Sequence, residues 1–270
     1  MVKTPFWLRY SLRAVVVAYV FLLVAWPVSL VVRNTFADGF GTLANALVQP
    51  NVTHALQLTA ICAVISVAIN TVFGVTVSLL IVRNEFPGRR LLTILLDVPM
   101  SVSPVVVGLA LLLIFNPNDG WLGGTLADWG IRVAFSTPGI VLATVFVALP
   151  LVIREIIPTL QEVGDEQEWA ARSLGANAVQ TFRLITLPTI KWAVIYGVVL
   201  ALARSVGEYG AVKIVSGNII GSTQTATLLV EERYQAFDQE TAYAVAFLLA
   251  MAAVICIVIV AILRPKHSEI

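Results

Sequence analysis

The chain has 270 residues, of which 59% are hydrophobic and 12% charged. Its 17 Lys+Arg and 16 Asp+Glu give a net charge of +1, and its mean hydropathy is +0.90. Soluble domains carry about twice that charged share, and a fold of this length has too little interior to hide so much apolar surface. These values exclude a cytosolic enzyme, a secreted disulfide scaffold and a disordered regulator, and the even charge balance argues against a nucleic-acid surface. An all-α integral membrane protein remains.

Lys3, Arg9 and Arg13 precede the first uncharged run, residues 14–32. This run is long for a leader and lacks a clear small-residue cleavage site, so it reads as a start-transfer helix that stays. The Asn51-Val52-Thr53 sequon reads as chance. The second run, 55–82, is also charge-free and long enough to tilt. The third, 91–115, is interrupted once, by Asp97, which reads as a cap for a helix starting near Pro99. Residues 116–132 begin with turn formers and carry Trp121 and Trp129, which suit an interfacial cap. The fourth run is 133–153 and the sixth 241–263, while the fifth, 192–217, carries Arg204, Glu208 and Lys213. Six transmembrane helices put both termini on one side. Cys62 and Cys256 lie in apolar runs and read as small buried hydrophobes. His54 and His267 have no ligand-like neighbours, so no metal site is expected.

The basic residues choose the side. Lys3, Arg9, Arg13, Arg83, Arg89, Arg90, Arg154, Arg172, Arg183, Lys191, Arg264 and Lys266 fall at one end of the six runs. Arg33, Arg132, Lys213 and Arg233 fall at the other. The positive-inside rule places both termini in the cytoplasm of a multi-pass protein of the cell (inner or plasma) membrane.

The fourth connection, 154–191, is therefore cytoplasmic. Glu162, Asp165, Glu166 and Glu168 precede Ala170-Ala171-Arg172-Ser173-Leu174-Gly175-Ala176, as in a helix with an acidic first turn. Gly175 lies where that helix ends or bends. Leu187-Pro188 is expected to stop a second short helix before Lys191 opens the fifth span. The hairpin is either a docking surface or a passive loop. Within the fifth span, charges are costly and need partners or a water-lined path. Arg204 and Glu208, four apart, form either a structural ion pair or a gate. Lys213 either offers positive potential to an anion or snorkels.

The stretch Ala170-Ala171-x-x-x-Gly175 followed by Ile185-x-Leu187-Pro188 resembles the EAA loop of ABC importer permeases. That resemblance implies a cytoplasmic coupling helix between transmembrane helices four and five, seated on a partner ATPase through Glu168, Trp169, Ala170, Ala171, Gly175 and Ala176. The family's motif glutamate falls at Trp169 here. Glu168 is one step early, and one residue turns a helical side chain by about 100°. The segment Arg204-Ser205-Val206-Gly207-Glu208-Tyr209-Gly210-Ala211 resembles a signature of sulfate and molybdate importer permeases. Val215-Ser216-Gly217-Asn218-Ile219, Asp97-Val98-Pro99, Ser103-Pro104-Val105-Val106 and 138–144 are similar to the sulfate/thiosulfate subfamily, W-type of the permease pair.

By that resemblance, residues 1–53 form an N-terminal segment with the first helix and an outer loop, 54–263 the importer core and 264–270 a cytoplasmic tail. Arg204, Glu208, Tyr209 and Lys213 are pathway or gate candidates. The implied partners are a second, T-type permease, an ATPase dimer and an extracytoplasmic sulfate-binding protein. No Gly-x-x-x-x-Gly-Lys-Ser/Thr loop is present. No cofactor is therefore expected on this chain, with ATP and Mg bound by the ATPase, and the chain itself is expected not to be an enzyme. The rival cargo is molybdate or tungstate. A secondary transporter would need duplicated broken helices, and a membrane enzyme would need converging catalytic groups; neither is found.

Overall fold

The computed structural model describes residues 6–37 and 39–263; Lys3 and the tail 264–270, with Arg264, Lys266 and His267, lie outside the described residues. Among the described residues all regular structure is helical. Five continuous helical runs are long and apolar enough to cross a bilayer: Tyr10–Thr35, Pro50–Arg83, Thr137–Val163, Ala178–Val206 and Gln239–Ile262. A sixth candidate crossing is the pair α5 (Arg89–Ser101) and α6 (Pro104–Phe115), which is apolar enough only when taken together and is bent by 110°.

The centre is built by α4 (Pro50–Arg83), α8 (Thr137–Val163) and α11 (Leu187–Val206). In lipid, helices associate by close packing rather than by hydrophobic expulsion, so small residues mark their contacts. A Cβ on Gly74 would sit 2.9 Å from Val152 Cγ1, and one on Gly197 would sit 3.0 Å from Val152 Cα. The two glycines let α4 and α11 close on the same residue of α8. Val67, Val75, Ala148, Ile156, Leu160, Ile190 and Ala201 fill the space around it. The opposite face of α4, with Ile61, Val64, Ile69, Val72 and Phe73, is exposed and apolar, as a lipid-facing stripe must be.

The first crossing is α1 (Phe6–Val20) and α2 (Trp26–Thr35), joined by a π turn at Phe21–Ala25. It touches the rest at one end. There the Thr35 hydroxyl donates to the Tyr243 carbonyl at 3.0 Å, and Phe36 meets Phe247 edge-on at 5.2 Å. Tyr243 and Phe247 belong to the last helix, α14 (Gln239–Leu263). A short α3 (Phe40–Val48) leads into α4.

Four expectations from the sequence need correction. The third span does not cross as one rod broken at Asp97. The break lies at Val102 and Ser103, both extended, as the bias of a proline against helical backbone in the residue before it favours at Pro104. Asp97 is no cap; it sits inside α5 and accepts from Arg154 Nε at 3.0 Å and Nη2 at 2.9 Å. Leu187-Pro188 does not stop a helix either. α10 (Ala178–Thr181), a π turn at Phe182–Thr186 and α11 run on as one span. The widened turn, with the Leu187 N–H bonded to Phe182 O, accommodates the proline that lacks an N–H. The same device precedes Pro27, where Trp26 N–H bonds to Phe21 O. Finally, the fifth span ends at Val206 rather than Gly217, and α8 continues to Val163, so that Arg154 lies within a helix rather than in a loop. Two short helices, α7 (Gly123–Asp128) within 116–132 and α13 (Ala226–Gln235) before the last span, carried no apolar run to announce them.

Candidate functional site

The hairpin between α8 and the fifth span starts where α8 ends at Gly164, in the left-handed region with φ +71. α9 (Glu166–Ser173) follows, with Glu166 and Glu168 in its first turn and Arg172 in its last, matching the helix dipole at both ends. Trp169 Nε1 donates to Asp165 Oδ2 at 2.9 Å, fixing the indole. At the far end Ala176 N–H donates to Ala171 O and Gly175 N–H to Arg172 O, each 3.0 Å. This paired closure requires a left-handed residue, and Gly175 supplies it with φ +90. Asn177 then starts α10 with a reciprocal cap, its side chain accepting from Gln180 N–H while Gln180 accepts from Asn177 N–H, each at 2.9 Å.

The hairpin has two faces. Trp169 is 62% exposed and Leu174 90%, an apolar pair on a polar stretch. Ala170 and Gly175 are exposed beside them, and Ala171 and Ala176 are half-buried. Glu168 points the other way and is buried. Its Oε2 accepts from Arg83 Nε and its Oε1 from Arg83 Nη2, each at 3.1 Å, and Oε1 also takes the Thr186 hydroxyl at 2.9 Å. Glu168, grouped with the outward coupling residues on the strength of the resemblance, thus spends its carboxylate inside this chain. The one-residue offset from Trp169 had turned it to the other face. Arg83 and Thr186 carried no signal of their own; Arg83 read only as one of the charges that orient the spans.

Two helix breaks lie against each other, and the pathway candidates gather at the second. The α5–α6 break is one. The other is Gly207-Glu208-Tyr209, between α11 and α12 (Gly210–Ser216). A Cβ on Gly210 would meet Pro104 Cβ at 3.1 Å and Val105 N at 3.4 Å, and one on Gly108 would meet Ala211 O at 2.6 Å. Arg204 Nη1 pairs with Glu208 Oε2 at 2.7 Å across the end of α11. Glu208 Oε1 accepts the Ala211 N–H at 3.0 Å, which satisfies the start of α12. The Thr227 hydroxyl donates to Glu208 O at 2.8 Å and ties α13 to the break. Lys213 donates to Glu231 and to the Tyr209 hydroxyl. The Arg204 side chain is 37% exposed and that of Glu208 2%, while the Asp97 and Arg154 side chains are about half exposed. Charged groups open to the outside of a chain that spans lipid face water or another protein, because hydrocarbon would not tolerate them.

Residues 71–266 match the family described as binding-protein-dependent transport system inner membrane component. The chain is 44% identical over 264 residues to a sulfate transport system permease protein CysW of Synechocystis sp., covering 98% of this chain and 95% of that protein. It is 40% identical to the protein of that name from Escherichia coli strain K12, covering 96% and 87%. To the sulfate transport system permease protein CysT of Salmonella typhimurium it is 34% identical, covering 93% and 90%. In fold it is similar to a chain of a bacterial ABC transporter involved in the import of the acidic polysaccharide alginate. That likeness has a TM-score of 0.78 at 15% identity, over 97% of this chain and 96% of that one. The protein is a multi-pass membrane protein with the importer-permease fold.

Proposed function

The chain belongs to the family of binding-protein-dependent transport system inner membrane components, and from that premise we propose that it is the W-type permease of an ATP-driven importer of sulfate or thiosulfate. Support for the cargo comes from its likeness to sulfate permeases over nearly its whole length, closer to the W-type at 40–44% than to the T-type at 34%. Both termini face the cytoplasm, as the basic residues at that end of the spans favour. A T-type permease supplies the other half of the path, and an extracytoplasmic binding protein delivers the anion. Two ATPases bind below and hold ATP and Mg; no cofactor belongs to this chain.

The observation that carries the coupling role is the hairpin itself. α9 presents Trp169 and Leu174 outward on a turn held by Gly175. Large exposed apolar side chains on a short helix closed by a glycine turn make an anchor that a groove on a partner can seat. Closure of the ATPase pair pushes on that anchor, and the push passes into α8 and the fifth span, whose ends frame the hairpin. The paired breaks then shift, and Arg204 and Lys213 meet the passing anion with positive charge. Their ion-pair partners lower the cost of holding those charges when no anion is present.

The test is labelled sulfate uptake in cells deleted for this chain, with and without the chain restored, and with unlabelled thiosulfate and molybdate as competitors. Restored uptake blocked by thiosulfate and not by molybdate supports the reading. Uptake blocked by molybdate moves the cargo to that anion and leaves family membership in place.

A further inference from the structure

Arg83 ends α4, 85 positions from Glu168 in sequence. Besides the two bonds to Glu168, its Nη1 donates to Leu160 O at 3.2 Å and its Nη2 to Gly164 O at 2.7 Å. A guanidinium has five N–H donors in a planar fork, and these four bonds use it almost fully. Leu160 and Gly164 belong to the last turn of α8, where carbonyls have no partner within the helix. Thr186, at the end of the π turn that begins the fifth span, closes the cluster on Glu168 Oε1. One side chain therefore ties together the ends of α4 and α8, the docking helix α9 and, through Glu168, the start of the fifth span. The Arg83 and Glu168 side chains are 16% and 10% exposed, so water competes little for these bonds.

We propose that Arg83 is a positioning residue for coupling. Its fork locks α9 to the ends of α4 and α8, so that a push on the hairpin moves three spans as one piece. The inference rests on the coupling role given above, and it goes further in naming the mechanical joint. Without the fork, α9 would stay attached only through its two chain connections, at Gly164 and at Ala176-Asn177, and through the single bond from Thr186 to Glu168. A hairpin held only so would swing under the ATPase while the spans stay behind.

The test uses the complete importer, reconstituted with its ATPase and binding protein. Two readouts are taken: sulfate imported per ATP hydrolysed, and the distance distribution between spin labels at Glu85→Cys and Arg172→Cys with Cys62 and Cys256 replaced by Ala. The variants are Arg83→Ala, Arg83→Lys and Arg83→Met/Glu168→Met. The double variant strands no charge, so it keeps a folded chain available if the single one is unstable. Expected are a single narrow distance in the wild type, a broadened one in all three variants, and import per ATP lower by about tenfold. Lysine fails to rescue because one ammonium cannot make the fork. A narrow distance, or wild-type import per ATP, in any of the three overturns the proposal, even where thermal stability has dropped. If the wild-type importer carries no sulfate, the cargo reading fails while the distance measurement still decides the role of Arg83.

Discussion

The hairpin around α9 and the break after α11 each hold an arginine–glutamate pair, and the two pairs are built in opposite ways. Arg83 and Glu168 are far apart in sequence, largely shielded, and bonded so as to link four separate elements, their own two included. Arg204 and Glu208 are four apart, with the arginine 37% exposed, and the pair spans one break. A long-range, multiply bonded pair removes freedom from everything it touches. A local pair with an open cation restrains only its own turn, and an anion arriving from outside can compete for it. The same two residue types thus make a multiply bonded, shielded contact in one place and a local, partly open one in the other.

Gly175→Asp should break the hairpin half of this contrast most completely. The glycine has nothing within 4 Å of a Cβ, so the φ of +90 and the added charge beside Leu174 are what matter. A left-handed residue other than glycine costs about 1–2 kcal/mol. Sulfate uptake should fall to background with the chain still inserted in the membrane, and uptake at the wild-type rate would refute the coupling assignment.

Arg204→Ala tests the breaks. Losing the arginine strands Glu208, whose side chain is only 2% exposed, and one-sided loss from a buried pair costs about 3–5 kcal/mol, less here because the arginine is partly open to water. Arg204→Ala with Glu208→Gln should be milder in thermal stability than Arg204→Ala alone, since Gln keeps an acceptor for the Ala211 N–H. An equal or larger loss in the double variant would count against pairing.

Trp169→Ala sharpens the hairpin's outer face. An aromatic anchor is worth about 2 kcal/mol, roughly thirtyfold in partner affinity, read as weaker retention of the ATPase in detergent with membrane insertion unchanged. Asp97→Asn should have the smallest effect. Its pair with Arg154 is half exposed, and such pairs contribute under about 1 kcal/mol. A drop in melting temperature as large as that of Arg204→Ala would show this pair to be better shielded than its exposure indicates.

Much of this was legible in the sequence, and what was missed shares a cause. Hydropathy runs along the chain, so the long apolar helices and the connection at 116–132 could be read directly. The turn at Gly175 was legible because its geometry is local and demands one residue type. The offset between Glu168 and Trp169 foretold different faces, since helical phase is also local. The partner of Glu168 was not legible, because nothing near it in sequence points 85 residues back to Arg83. The break before Pro104 was missed and the stop at Pro188 wrongly expected for a related reason. Pro104 bends a span by 110° through the extended residues before it, whereas Pro188 is absorbed by a π turn. Identical local chemistry gave a break in one place and continuity in the other, according to how the neighbouring turn accommodates the missing donor.

The central claim is that the outer face of α9 seats the ATPase. A photoactivatable maleimide placed at Leu174→Cys, in a complex lacking Cys62 and Cys256, should cross-link to the ATPase with a yield that changes on adding ATP. The same probe at Ile220→Cys, in the segment between α12 and α13 at the opposite end, should give no such product. A complex that hydrolyses ATP and imports sulfate, yet yields no ATPase adduct from position 174 or an equal one from position 220, would contradict the account.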